Sequence, residues 1–150
     1  MVQRTLRLQF DEQATGSAEQ CKAQLVEARV QMLAAHTARV RPGTLLRSYS
    51  NFIDEMLSSL WESSVASPSK RSRIALAAVG GYGRRELHPG SDIDLLVLRA
   101  REDSNLESAK IADFIRFLWD VGLQVGHSTR TLHECVNQAR ADITVVTNLM

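Results

Sequence analysis

The sequence predicts an α/β domain in which a small mixed sheet carries a site at one edge and is backed by helices. Three observations lead there. Residues 74–98, IALAAVGGYGRRELHPGSDIDLLVL, hold two apolar runs of strand length, split by a glycine pair and a short polar segment. Helical periodicity occupies the chain on both sides of that stretch. A third short alternating run, residues 123–128, follows one further helix. The expected order is α α β, turn, β α β α α.

Residues 1–16 alternate weakly around Leu6 and Leu8 and read as a short strand or a loose arm. Ser17 is an N-cap candidate, with Gln20 as its capping-box partner. Leu25, Ala28, Met32 and Ala35 then share one helical face, while Lys22, Glu27, Arg29 and Arg39 fall largely elsewhere. Pro42-Gly43 reads as a breaker. Thr44 caps a second helix, which runs to about residue 64. Its apolar stripe is Leu45, Tyr49, Phe52, Ile53, Met56, Leu57 and Leu60, with Asp54 and Glu55 opposite. Residues 63–72 are rich in serine, contain Pro68 and read as a loop. Lys70, Arg71 and Arg73 there form either a solvated turn or a rim that attracts polyphosphate.

The continuous apolar run at residues 74–79 predicts a strand buried on both faces. Residues 92–98 predict a second one, acidic only at its start. A polar loop leads to a helix at about 106–121, capped by Ser104 or Asn105. Its apolar set is Leu106, Ala109, Ile111, Phe114, Ile115, Leu118 and Trp119, and Gly122 ends it. After the third strand, Thr131-Leu132-His133-Glu134 has the form of a capping box for a helix through about residue 140. Asp142 then caps one more helix.

Composition narrows the function classes. At 150 residues the chain is about one domain, and 44% hydrophobic content supplies an ordinary core. A net charge of +1 makes no bulk electrostatic case for nucleic acid or membrane. Aromatics at 5% are too sparse for a base-stacking surface. Cys21 and Cys135 lie far from any second cysteine and read as small buried thiols of a reducing compartment. No apolar run nears the roughly 18 residues of a membrane span. MVQRTLRLQF lacks the apolar core of a secretory signal, so the expected location is cytoplasmic. Residues 143–150 stay apolar to the last position, which suggests a piece of a longer protein.

Chemistry concentrates at Asp92 and Asp94. In a strand, residues i and i+2 point to one side, about 6.6–6.8 Å apart. The two carboxylates then converge while Ile93 and Leu95 enter the core. So placed they repel each other, and a hard divalent cation relieves the repulsion. Mg²⁺ takes oxygen ligands, typically one or two carboxylates plus substrate phosphates. Two such ions about 3.5–4 Å apart clamp an in-line displacement at phosphorus. Gly80-Gly81, after a strand and before a helical turn, let backbone approach a ligand closely and leave N–H groups for a phosphate. Each motif alone is more often a turn or a cap; the combination is far more specific.

The run GGYGRRELHPGSDIDLL resembles the nucleotidyltransferase domain of the bacterial protein-PII uridylyltransferase/uridylyl-removing enzymes, within the polymerase-β-type nucleotidyltransferase superfamily. The resemblance continues in LWDVGLQVGHSTRTLHEC and ADITVVTNLM and covers about residues 45–150. It implies an N-terminal arm and helix over 1–43, then a nucleotidyltransferase domain over 44–150, incomplete at its end. It implies that Gly80 and Gly81 bind a nucleoside triphosphate, and that Asp92 and Asp94 hold Mg²⁺ and place the α-phosphate. Ser91 would contact phosphate or order the turn. The implied reaction moves UMP from UTP to a tyrosine hydroxyl of the PII signalling protein and releases pyrophosphate. The family's HD hydrolase and ACT domains do not fit within 150 residues.

Two departures stand out. Arg85 occupies a position that is glycine in the family form G-R-G-E-L, where its added cation either helps a phosphate or blocks the pocket. A third carboxylate is expected on a later strand, yet residue 124 is Gln124; Glu134 and Asp142 fall on helices. Arg84 and Arg130 are the best further triphosphate contacts, because a guanidinium fork matches phosphate oxygens. Arg130 reads equally well as a surface charge at a helix entry. His88 either shapes its loop or touches phosphate. His127 reads as structural, His36 and His133 as surface residues, Trp61 and Trp119 as core. Nucleotide choice is not legible in these motifs. An adenylyltransferase, another transferase of the superfamily, or a fragment that binds nucleotide without turnover stay open.

Overall fold

The computed structural model describes residues 6–65, 74–100 and 105–141. A 3-10 turn, Glu12–Ala14, precedes α1 (Ala18–Thr37) and α2 (Pro42–Ser64). Then come β1 (Ile74–Ala78), α3 (Gly80–Gly83), β2 (Ile93–Arg99), α4 (Asn105–Val121), β3 (Val125–Thr131) and α5 (Leu132–Ala141). Lys70, Arg71, Arg73, Ser104 and Asp142 lie outside the described residues.

Ser17 caps α1, its Oγ accepting the Gln20 N–H at 3.2 Å. Cys21, Leu25, Ala28 and Met32 form the buried face of that helix, at the spacing the sequence shows. α2 begins two residues before the expected cap. Pro42-Gly43 opens the helix rather than breaking the chain, with Pro42 in the first turn, where a missing N–H costs nothing and a fixed φ helps. The seven residues of the α2 stripe are all buried.

Residues 6–10 form no strand. The Leu8 N–H is taken by Ser48 Oγ of α2 at 3.2 Å, and Phe10 meets Phe52 edge-on at 5.9 Å. Side chains of α2, not a neighbouring strand, hold this arm.

The sheet has the order β1-β2-β3 and is mixed, as expected. β1 runs antiparallel to β2, with Ile74 opposite Arg99 and Ala78 opposite Leu95. β3 runs parallel to β2, with Ile93 opposite Val125 and Arg99 opposite Thr131. A parallel partner needs a long crossover, and α4 supplies it.

Two strand expectations change. β1 is an edge strand and is not buried on both faces: of its residues only Ile74 is fully buried, and Ala75 and Ala78 are exposed. β3 starts at Val125, because Gly122 (φ +93°) and Leu123 spend their N–H groups closing α4, on the carbonyls of Trp119 and Leu118.

One hydrophobic cluster joins α1, α2, α4 and the sheet face bearing Ile93, Leu95 and Val97. Trp61 and Phe114 meet edge-on at 5.1 Å at the α2–α4 contact. Within α4, Ile111, Phe114, Ile115 and Leu118 are buried. Leu106, Ala109 and Trp119 are exposed, although the sequence grouped them with the core. That grouping spans more of the helix circumference than the face packed on α1, α2 and β3.

Candidate active site

β1 ends at Ala78, and Val79 continues in extended backbone (φ −131°) with its N–H on the Asp94 carbonyl at 3.0 Å. The chain then reverses at Gly80, whose φ of +62° is costly for residues with a side chain. A single helical turn, α3, follows, closed by Gly83 N–H on Val79 O at 3.1 Å. The first amides of a helical turn have no carbonyl behind them, so they face outward for a ligand. A Cβ at Gly83 would come within 2.8 Å of the Ala78 carbonyl oxygen, so the turn can lie this close to β1 only with glycine there.

Tyr82 fastens the turn to the body of the protein. Its ring is buried, and its O–H donates to Asp54 Oδ1 of α2 at 2.6 Å. Burial, then this hydrogen bond and the adjacent negative charge, push the phenol far above its ordinary range. Asp54, expected opposite the apolar stripe, is therefore an anchor. Ser50, one turn earlier on α2, is fully buried and its Oγ accepts the Leu87 N–H at 3.4 Å. Together these contacts fix the segment between the glycine pair and the carboxylates at its start and its middle.

The segment turns at His88–Ser91, with Ser91 N–H on His88 O at 3.0 Å. Asp92 lies one residue ahead of β2, and Asp94 is the second residue of the strand. Both are exposed, while Ile93 and Leu95 are buried in the core, as the alternation demands. The carboxylates thus open the central strand, not an edge of the sheet, because β1 and β3 pair on its two sides.

Asp94 has two glycine neighbours. A Cβ at Gly80 would stand 2.9 Å from its Oδ2, and one at Gly126 would stand 3.0 Å from its Oδ1. Gly126 is its partner across the β2–β3 ladder. Asp92 and Asp94 supply the hard oxygen donors that suit Mg²⁺, and the glycine turn beside them leaves room for phosphate. Among the described residues, no group of three or more His, Cys, Asp or Glu gathers around a metal position.

The remaining candidates are dispersed. Gly81 has nothing within 4 Å of a built Cβ, so it borders open space. Arg84 ends α3 and pairs with Glu86 at 3.3 Å on the surface. Arg85 is exposed, at φ +60°. Arg130 lies four residues beyond Gly126 on β3, roughly 13 Å along the strand, so the fold does not set it beside Asp94. Gln124 precedes β3, and its carbonyl accepts the Ile93 N–H at 2.8 Å. His127 is exposed and meets the exposed Trp119 at 6.4 Å, whereas Trp61 is in the core. Tyr82, Asp54, Ser50 and Gly126 escaped the sequence reading. The i, i+4 spacing of Ser50 and Asp54 on the rim of an apolar stripe was the available signal.

Residues 62–145 match the nucleotidyltransferase domain family. The chain belongs to that family. As a nucleotidyltransferase domain, its mixed sheet and surrounding helices accord with the polymerase-β-like fold. Over 106 residues it is 51% identical to the bifunctional uridylyltransferase/uridylyl-removing enzyme of Pseudomonas fluorescens Pf-5, covering 71% of this chain and 12% of that protein. The protein of the same name from Stutzerimonas stutzeri is 49% identical, with the same coverage. That of Chromobacterium violaceum is 42% identical over 126 residues, 84% of this chain and 14% of that protein. The chain thus spans about an eighth of the length of these relatives. No solved structure matches it.

Proposed function

We propose that this chain carries the nucleotidyl-transfer site of a protein-PII uridylyltransferase: UMP passes from UTP to a tyrosine hydroxyl of PII, and pyrophosphate leaves. The observation that carries this reading is the Asp94 carboxylate seated between Gly80 and Gly126, beside the glycine turn. The names of the relatives, uridylyltransferase/uridylyl-removing enzymes, support uridylyl as the group transferred. The reaction belongs to nitrogen signalling in the cytoplasm, and no described helix is long and apolar enough to cross a membrane.

In this mechanism Asp92 and Asp94 would hold Mg²⁺. When bound, the ion supplies neutralisation of phosphate charge and polarisation of the phosphoryl oxygens. The outward amides at Gly80 and Gly81 bind the triphosphate, and Ser91 orders the turn that presents Asp92. Arg84 and Arg130 attract the polyphosphate at longer range. Tyr82, held by Asp54, keeps the turn from shifting as the nucleotide enters. The transferase domain occupies residues 44–150, and the arm and α1 support it.

The test exchanges Asp92 and Asp94 singly to Asn and follows uridylylation of PII with UTP and Mg²⁺, with ATP and CTP in parallel. Loss of transfer by at least about a hundredfold is expected, with UTP preferred. Undiminished transfer in either variant would sink the mechanism. A preference for ATP would reassign the nucleotide.

A further inference from the structure

We infer that Gly126 is a positioning residue for Asp94. The proposal rests on reading Asp94 as a metal ligand and adds what holds that ligand in place. A glycine within a strand usually marks a bulge, a bend or a close approach. Gly126 sits in an unbroken parallel ladder, between Val125 opposite Ile93 and His127 opposite Leu95. The positive-φ glycines are Gly80 and Gly122, so the Gly126 backbone suits any L residue. Gly126 is also exposed, so no packed core excludes a methyl group there. What a methyl group would crowd is Asp94 Oδ1, 3.0 Å from the built Cβ.

Gly80 closes the other side, with its built Cβ 2.9 Å from Oδ2. Each carboxylate oxygen therefore occupies the space of one missing side chain. By contrast, a Cβ at Gly81 or Gly90 meets nothing within 4 Å. The two glycines form a slot that leaves room for the carboxylate in this orientation before any cation arrives. Gly80 is required by its backbone as well, which makes Gly126 the clean probe of the slot. A methyl group at 126 turns the Asp94 carboxylate away from the direction shared with the glycine turn.

A thermal-denaturation cycle tests the contact without any ligand. Gly126→Ala, Asp94→Ala and the double variant are compared with the parent chain. Gly126→Ala should lower Tm when Asp94 is present and leave it unchanged or raise it when Asp94 is Ala. An equal shift in both backgrounds, or none in either, would overturn the proposal. A second arm follows Mn²⁺ binding in the presence of UTP by electron paramagnetic resonance. Gly126→Ala should raise the half-saturating Mn²⁺ concentration about tenfold or more. Parent-like Mn²⁺ binding by Gly126→Ala, with binding lost in Asp94→Asn, would also overturn it. If Asp94→Asn binds Mn²⁺ as the parent does, the metal-ligand reading fails, and the thermal cycle alone decides whether Gly126 positions Asp94.

Discussion

Arg85 sits at φ +60°, with its N–H on the Tyr82 carbonyl at 2.9 Å. The sequence showed a departure from glycine and left its effect open. The structure gives the position a conformational demand: a left-handed residue costs roughly 1–2 kcal/mol unless it is glycine. Arg85→Gly should therefore stabilise the chain by about 1 kcal/mol, read as a higher urea midpoint. Tyr82 makes the opposite kind of prediction. Tyr82→Phe removes the donor to Asp54 and should cost about 1–2 kcal/mol at pH 7. The folded phenol is raised above its unfolded value near 10, so its contribution is full below about pH 10 and falls as pH rises further. Parent and variant should converge in stability above that pH; a constant gap to pH 11 would refute the assignment. Neither residue's role was legible in the sequence. A backbone angle leaves no mark on a side-chain type, and the Tyr82–Asp54 pair is 28 positions apart.

The helices were the legible elements, because their buried residues recur at a spacing that no strand reproduces. Errors came where a pattern had two physical meanings. Pro42-Gly43 ends a helix or begins one, and only the position of the first free N–H groups decides. The run of small residues in β1 looks buried on both faces because alanine and leucine do not reveal which face meets water. The capping box at α5, in contrast, formed as read. Thr131 N–H reaches Glu134 Oε2 at 2.6 Å, and Glu134 N–H reaches Thr131 Oγ1 at 3.2 Å. The Thr131 backbone bond, then its hydroxyl, hold the Glu134 carboxyl below its usual range. A depressed carboxyl stabilises the fold above its unfolded value near 4.3 and loses that effect as pH falls through the folded one. Glu134→Ala should thus lower Tm at pH 7, with the difference closing below about pH 4. A difference that does not shrink as pH falls from 5 to 3 would argue against the box.

At the scale of the molecule, one core serves both the arm-and-α1 portion and the sheet. Phe114 lies where α4 meets Trp61, so Phe114→Ala should cost about 3–5 kcal/mol, a large share of a typical total of about 5–15. Denaturant unfolding measures it; a loss under about 1 kcal/mol would mean that the contact is not part of the core. The placement of Asp92 and Asp94 at the start of β2 was legible at this scale, because the apolar run that follows them sets the strand. The glycine slot was not, since Gly126 joins it only through strand pairing. The Tyr82–Asp54 and Leu87–Ser50 bonds have one more consequence. They join α2 directly to the glycine turn and its following segment, 28 and 37 positions further along the chain. The address of the site is thus written in contacts and not in chain continuity.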